Sequence, residues 1–440
     1  MSRKMTHRAI RWAQSRVASP VIIKAKKNSL RELIESARPF TIEHEFLFPK
    51  ILRADSPHFS SPLRSIPRFN MMASLLPREV IFELADGPYV EKIFPDRPTY
   101  ALYKTVPAAG KFKAEHRMRK KIDFTTTWWT KDLIGARRAN KQGFLGEDVL
   151  VSITDTGASR VHSQIGRVVM DSTMGQQRDE NGHGTWCTTC VGGEEALDSW
   201  LTSQSGKEVY CEGMAPACDL LAVKCLGYVI GMGSTSNVLE SISRSLEYGA
   251  DIISMSLGGV SEESKPQDDA HFEVFNEVVK EGVIPVVAAG NEGPTKTTIG
   301  SPGCLPQVLT VGAYDPITGK LANFSSRGPT NWNATKPDVL APGVNINSGI
   351  VGVLDTSGDG VPSRYSPISG TSMATPHVAG LLALMVQAHR KLLGGDLMVE
   401  EVKEMMKQLG TSKTNSAGWG PITWQIYEKW LNTEYSVVIK

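Results

Sequence analysis

Three short segments hold the residue types that nucleophilic acyl transfer needs. Asp155 closes the apolar run Val149–Thr154 and is followed by Thr156-Gly157. His183 lies in Asn181-Gly182-His183-Gly184-Thr185, where a helix-like stretch opens. Ser372 lies in Gly370-Thr371-Ser372-Met373-Ala374-Thr375-Pro376, also at a helix start. A serine hydroxyl is a weak nucleophile until a histidine takes its proton and a carboxylate fixes the imidazole tautomer. A helix N-terminus adds backbone N–H groups and a dipole that favour developing negative charge. Singly, each residue has a plainer use: Asp155 as a turn cap, His183 as a loop histidine, Ser372 as an N-cap. The conjunction carries the reading.

The elements that must position these residues follow from hydrophobic patterning. From about residue 125, short β-branched runs alternate with helical periodicity. The runs are Val149–Thr154, Leu220–Lys224, Asp251–Met255, Val283–Ala288 and Val308–Gly312. Helices are expected over Ser234–Tyr248, Asp268–Lys280, Thr371–His389 and Val399–Leu409. Buried strands alternating with helices predict an α/β fold: a doubly wound, mainly parallel sheet with helices on both faces. In such sheets chemistry gathers where strands end and helices begin.

The residues ahead of this region read differently. Residues 1–17 form a basic N-terminal extension. Residues 18–103 read as a small α+β unit, with strands at Val21–Ala25, Phe40–Leu47 and Tyr89–Phe94 and helices at Leu30–Ser36 and Arg78–Ala85. Asn28-Ser29 can cap the first helix, residues 51–68 look like loop, and residues 104–124 have a linker composition. The last domain is then 125–440.

The 440 residues have a formal net charge of +2, which hides an asymmetry. Residues 1–124 carry 24 Lys and Arg against 12 Asp and Glu, a net of +12, and the remainder carries −10. A basic front suggests nucleic acid, an anionic membrane, or docking on the acidic back. Without zinc-finger spacing, an RNA-recognition signature or a long basic block, internal docking is preferred, with neither nucleic acid nor membrane as partner. No stretch approaches eighteen apolar residues, and the N-terminus lacks the apolar core of a signal peptide. A cytoplasmic location is the expectation. The six cysteines read as free thiols, and Cys187-x-x-Cys190 lacks the second pair a zinc site would want.

The three motifs, in this order, resemble those of the subtilisin-like serine proteases (subtilases, peptidase S8). The intervening segments Gly213-Met214-Ala215-Pro216, Ser256-Leu257-Gly258-Gly259, Ala288-Ala289-Gly290-Asn291-Glu292-Gly293, Phe324-Ser325-Ser326-Arg327-Gly328 and Lys336–Gly343 match as well. The resemblance covers roughly residues 125–410. It implies Asp155, His183 and Ser372 as the triad and Asn291 as oxyanion donor. It implies Ser256, Leu257 and Gly258, with Gly231 and Gly233, as two edges that sandwich an extended peptide. It also implies Ala289 and Gly290 as substrate-binding residues and Gly300 as the floor of the primary pocket. With no acid among those pocket segments, a large apolar or aromatic residue before the cut is expected.

The front unit resembles the family's inhibitor-like propeptide, a ferredoxin-like α+β fold, through Pro88–Asp96. The chain is then a self-processing zymogen whose partners are its own propeptide and peptide substrates, expected as a monomer. The cut is expected after Tyr103, before Lys104, with Tyr100 in an apolar pocket three residues upstream. No cofactor is needed for the chemistry. A structural calcium is an expectation at Asp355, Ser357 and Asp359, whose alternating oxygens match half a calcium loop. Gln164 stands where many subtilisins have a calcium-binding Asp, so that family site is in doubt. Cys187, one helical turn after His183, matches a cysteine in the branch that includes proteinase K, and a buried core role is favoured for it. Within the enzyme class, a dedicated processing protease is the alternative to a general one. An inactive scaffold would have lost a triad residue or Asn291, and all four are present.

Overall fold

The computed structural model describes residues 5, 18–41, 63–105, 125–227, 230–355 and 364–439. The extension 1–17 other than Met5, the expected strand beyond Thr41, residues 106–124, and Ser357 and Asp359 lie outside them.

The front unit runs β1 (Ala18–Ala25), α1 (Leu30–Ala37), β2 (Leu63–Ile66), β3 (Met71–Pro77), α2 (Arg78–Asp86) and β4 (Val90–Pro95). Its sheet has the order β2-β3-β1-β4 with every pairing antiparallel. That is the ferredoxin-like arrangement the resemblance implied. Ser29 occupies the cap position of α1, but its side chain makes no capping bond. Within 51–68, read as loop, residues 63–66 form an edge strand instead. The central strand β3 was not legible, because both of its faces are buried. Val21, Ile23, Met72 and Leu76 pack against the unit's own helices. Ile22, Met71, Ala73 and Phe94 face the second domain.

Beyond the sheet the chain continues as β5 (Pro98–Ala101) and β6 (Lys104–Thr105). The second domain follows with β7 (Thr125–Thr126), α3 (Thr127–Leu133), α4 (Ala136–Lys141), β8 (Leu150–Asp155), β9 (Val169–Ser172), α5 (His183–Gly192), β10 (Ala196–Leu197), α6 (Ser199–Ser205), β11 (Tyr210–Cys211), β12 (Asp219–Lys224), β13 (Met232–Ser234), α7 (Thr235–Glu247), β14 (Ile252–Met255) and β15 (Leu257–Gly258). It ends with α8 (His271–Lys280), β16 (Ile284–Ala288), β17 (Leu309–Tyr314), β18 (Val339–Pro342), β19 (Ile346–Gly349), β20 (Tyr365–Ser369), α9 (Thr371–Leu393), α10 (Val399–Leu409) and α11 (Trp424–Tyr435).

Seven strands form one sheet, β18-β17-β16-β14-β8-β12-β9, and all of its pairings are parallel. The helices α5, α9, α10 and α11 contribute to the core on one face. On the other, α7 and α8 present Val238, Leu239, Ile242, Val274, Phe275 and Val278 to the sheet and to the front unit. The doubly wound fold expected from the patterning is present. Helix α11 was missed, since its anchors Trp424, Tyr427 and Trp430 are spaced helically but sit in a Gly-containing tail. No helix among the described residues is long and apolar enough to cross a membrane.

The charge asymmetry has a location. Front-unit cations meet acids of α7, α8 and the loops beside them. Arg64 pairs with Glu240, Lys24 with Glu273, Arg68 with Glu277 and Glu281, Lys92 with Asp268, and Arg97 with Glu262 and Glu263. In all five cases the cation lies in the front and the acid in the back, in accord with internal docking.

Candidate active site

Parallel strands deliver their loops to one edge of the sheet, and the chemistry-bearing residues collect there. Asp155 is the last residue of β8, His183 the first of α5, and Ser372 the second of α9. All three are fully buried. His183 Nδ1 lies 2.7 Å from Asp155 Oδ1, which also accepts the Thr156 N–H at 2.7 Å. A carboxylate there favours the tautomer with the proton on Nδ1, leaving Nε2 free to accept one.

The serine is turned elsewhere. Its Oγ donates to the Ser256 carbonyl at 2.8 Å, and His183 Nε2 has no hydrogen-bond partner among the described residues. Asp155 and His183 are thus paired, while the Ser372 hydroxyl is engaged with a carbonyl rather than with the imidazole.

Asn291 follows the buried strand β16. Its Oδ1 accepts the Thr371 N–H at 2.9 Å and the Thr371 hydroxyl at 3.1 Å. Those donors orient the amide so that Nδ2, which has no hydrogen-bond partner among the described residues, is the free end. A Cβ built on Gly370 would stand 3.2 Å from Nδ2 and 2.5 Å from the Leu102 carbonyl oxygen. A side chain at 370 would therefore clash with that carbonyl.

One residue escaped the sequence reading. Asp179 is buried, and its carboxylate accepts N–H groups of Asn181, Gly182 and Thr185 and the hydroxyls of Thr156 and Thr185, at 2.7–3.1 Å. Burial pushes its carboxyl up, while the Gly182 and Thr185 donors pull it back. It anchors the start of α5 and, through Thr156, whose Oγ accepts the Gly184 N–H at 2.8 Å, the loop after β8. The usable signal was an acid four residues before His183, just ahead of a helix.

The chain itself fills the cleft. β5 lies between β13 and β15, antiparallel to both, with Thr99 opposite Gly233 and Tyr100 opposite Gly258. The Ala101 N–H donates to Gly231 O at 2.9 Å and the Leu102 N–H to Ser256 O at 3.3 Å. The expected edges Ser256, Leu257, Gly258, Gly231 and Gly233 are all brought together on this strand. A Cβ on Gly258 would meet Leu102 Cδ1 at 3.1 Å, so the leucine lies on that wall. Ala289 and Gly300 meet behind it, the Gly300 N–H donating to Ala289 O at 3.3 Å, and Gly290 is tied to Thr371. Past the cleft, Lys104 and Thr105 pair antiparallel with Ser369 and Ile368 of β20.

This register corrects two expectations. Leu102, not Tyr103, offers its carbonyl beside Asn291 and Gly370. Tyr103 falls on the far side, its ring 5.2 Å from that of His183, with its hydroxyl 3.4 Å from Asn181 Nδ2. Tyr100, expected in a pocket, is 43% exposed, whereas Thr99 is 3% exposed. Slipping a strand by one residue exchanges its faces. Lys104 and Thr105 are strand-paired, so the segment read as linker begins as a strand.

Residues 146–420, more than half of the chain, match the subtilase family, peptidase S8. The chain belongs to the subtilase family. It is 38% identical over 298 residues to the serine protease AprX of Bacillus subtilis (strain 168), an alignment covering 62% of this chain and 63% of that protein. It is 33% identical over 256 residues to pyrolysin of Pyrococcus furiosus, covering 47% of this chain and 18% of that one. With subtilisin E of Bacillus subtilis (strain 168) the identity is 30% over 293 residues, 65% of this chain and 67% of the relative. The chain thus spans just under two thirds of AprX and under a fifth of pyrolysin.

Two features of this subtilase bear on metals and thiols. Gln164, at the position of the family's calcium-binding Asp, is buried and donates Nε2 to Glu194 O at 2.6 Å and Cys211 O at 3.0 Å. Its own Oε1 is buried without a partner among the described residues. Of the loop proposed instead, Asp355 ends the described stretch. All six cysteines are buried free thiols. Cys187 Sγ lies 3.9 Å from His183 Nδ1 and 3.7 Å from Ser372 O, and burial pushes its thiol well up, which suits a packing role.

Proposed function

We propose that this subtilase is a serine endopeptidase made as a self-processing zymogen. Ser372 is the nucleophile, His183 the general base and then acid, Asp155 the residue that orients the imidazole, and Asn291 an oxyanion donor. The front unit 18–102 is the inhibitor and first substrate. Ser372 Oγ adds to the Leu102 carbonyl carbon as its proton passes to His183 Nε2. The negative charge on that oxygen is met by Asn291 Nδ2 and the Ser372 N–H. The proton then goes to the Tyr103 nitrogen, the Leu102–Tyr103 bond breaks, and water releases the acyl group from serine by the reverse sequence.

The observation that carries this reading is a continuous chain threaded through the cleft, paired on both sides before the cut and with β20 after it. Main-chain pairing admits many sequences, so specificity falls to the pockets, where Leu102 fits the expected preference for a large apolar residue. Each step moves protons between side chains and water and needs no cofactor. A stabilising calcium at Asp355, Ser357 and Asp359 is a separate part of the proposal, whose test is a melting temperature that falls on chelation and no longer does so in Asp359→Ala.

A serine-directed phosphonate tests the site itself. One equivalent on Ser372 of the processed enzyme, with loss of peptidase activity, is expected. Labelling elsewhere, or unlabelled active enzyme, would overturn the assignment.

A further inference from the structure

The main-chain ladder that holds β5 does not end at Pro98. The Thr235 N–H donates to the Arg97 carbonyl at 2.8 Å, so Arg97 is still part of the strand in the groove. Its guanidinium reaches two acids of the loop after β15, with Nη1 2.8 Å from Glu262 Oε2 and Nη2 2.9 Å from Glu263 Oε1. The arginine is 18% exposed, Glu263 8% and Glu262 49%, so the Glu263 half of this contact is shielded from water. The neighbouring acids are engaged elsewhere, Asp268 with Lys92, and Asp269 with His271 and Ser301. Glu262 and Glu263 thus meet the guanidinium at adjacent nitrogens, a geometry that a planar fork satisfies and a point-charge ammonium does not. Upstream, the Asp96 carboxylate accepts the Ser236 N–H at 2.9 Å and its hydroxyl at 2.6 Å at the start of α7.

We propose that Glu262 and Glu263 are a remote specificity subsite of the processed enzyme. They select polypeptides with an arginine five residues before the residue whose carbonyl is attacked. Arg97 holds this subsite in the precursor and shows what it takes. The inference rests on the peptidase reading above. It adds a charged requirement to a groove whose contacts with residues 98–102 are main-chain or apolar.

The test uses the self-processed enzyme, freed of its front unit, and two internally quenched, N-acetylated peptides. One has the sequence of residues 96–104, and the other carries Arg97→Ala. Partly shielded, bidentate pairing predicts a kcat/KM about tenfold higher for the arginine peptide at low salt. That ratio should shrink as salt rises and fall to about one in the Glu262→Gln, Glu263→Gln double variant. Equal rates on both peptides with wild-type enzyme would overturn the inference and leave the peptidase reading standing. A ratio that survives in the double variant would also overturn it, since the preference would then come from elsewhere. If neither peptide is cut, the peptidase reading fails together with the subsite.

Discussion

At the scale of single residues, the site divides into parts already in place and one part in waiting. The Asp155–His183 contact is formed and the Asn291 amide is held by Thr371, whereas the Ser372 hydroxyl is bonded to the Ser256 carbonyl. Preorganised donors in a dry site stabilise developing charge without reorganising, so Asn291 should matter to the chemical step more than to binding. Asn291→Leu keeps the volume and removes the N–H donor. Turnover is expected to fall on the order of 10²- to 10³-fold with KM little changed, read from steady-state kinetics on a peptide. An unchanged turnover would make Asn291 a turn residue only. Asp179 acts at one remove, through the start of α5. Asp179→Asn should lower turnover and shift the acid limb of the pH–rate profile, while Asp179→Glu restores part of both. A loss of thermal stability alone would make it purely structural. The positions that the proposed chemistry uses, Asp155, His183, Ser372 and Asn291, and the cleft edges stood out in the sequence because they lie in short-range motifs. Asp179 did not, because three of its five donors are backbone N–H groups, which leave no mark in residue type.

At the scale of elements, legibility follows burial. Strands of the parallel sheet announced themselves as apolar runs between helices. The front unit's β3 did not, because Met71 and Ala73 face the second domain while Met72 and Leu76 face the unit's own helices. A strand buried on both sides has no alternation to read. The register of β5 was missed by one residue for a related reason. The aromatic Tyr103 was matched to a pocket by type, but the pairings of Thr99 with Gly233 and Tyr100 with Gly258 fix the register. Helix α9 carries Ser372 at its start and a fully buried His377 one turn on. The imidazole sits 2.7 Å from both Thr130 Oγ and Met373 O. Burial pushes its pKa down to about 4, partly opposed by the Met373 carbonyl. The folded ring therefore stays neutral where the unfolded one, with a pKa near 6.5, takes up a proton. The unfolded state binds more protons between those values, so stability is present above about pH 6.5 and is lost as pH falls toward 4. The loss is on the order of 3 kcal/mol. His377→Gln should flatten that part of the stability–pH curve, measured by chemical denaturation. A slope equal to wild type would assign the acid sensitivity to other groups.

At the scale of the whole molecule, the two oppositely charged parts of the chain form a single interface. A sheet face carrying Ile22, Met71 and Phe94 packs on α7 and α8, and five cations at its margin meet acids. Ion pairs at a partly exposed margin are screened by salt, while the apolar contact is not. Processing without release should therefore give a cut but inhibited complex whose peptidase activity rises several-fold between low and high salt. Arg64→Ala with Arg68→Ala should raise the low-salt activity and blunt the salt response. A complex equally active at all ionic strengths would contradict docking by charge. The central claim, that the chain cuts itself where it crosses its own active site, is tested most directly by intact-mass and N-terminal analysis of the purified protein beside its Ser372→Ala variant. A new N-terminus at Tyr103 is expected in the wild type and an uncut chain in the variant. A first cut elsewhere, or the same cut in Ser372→Ala without added protease, would contradict it.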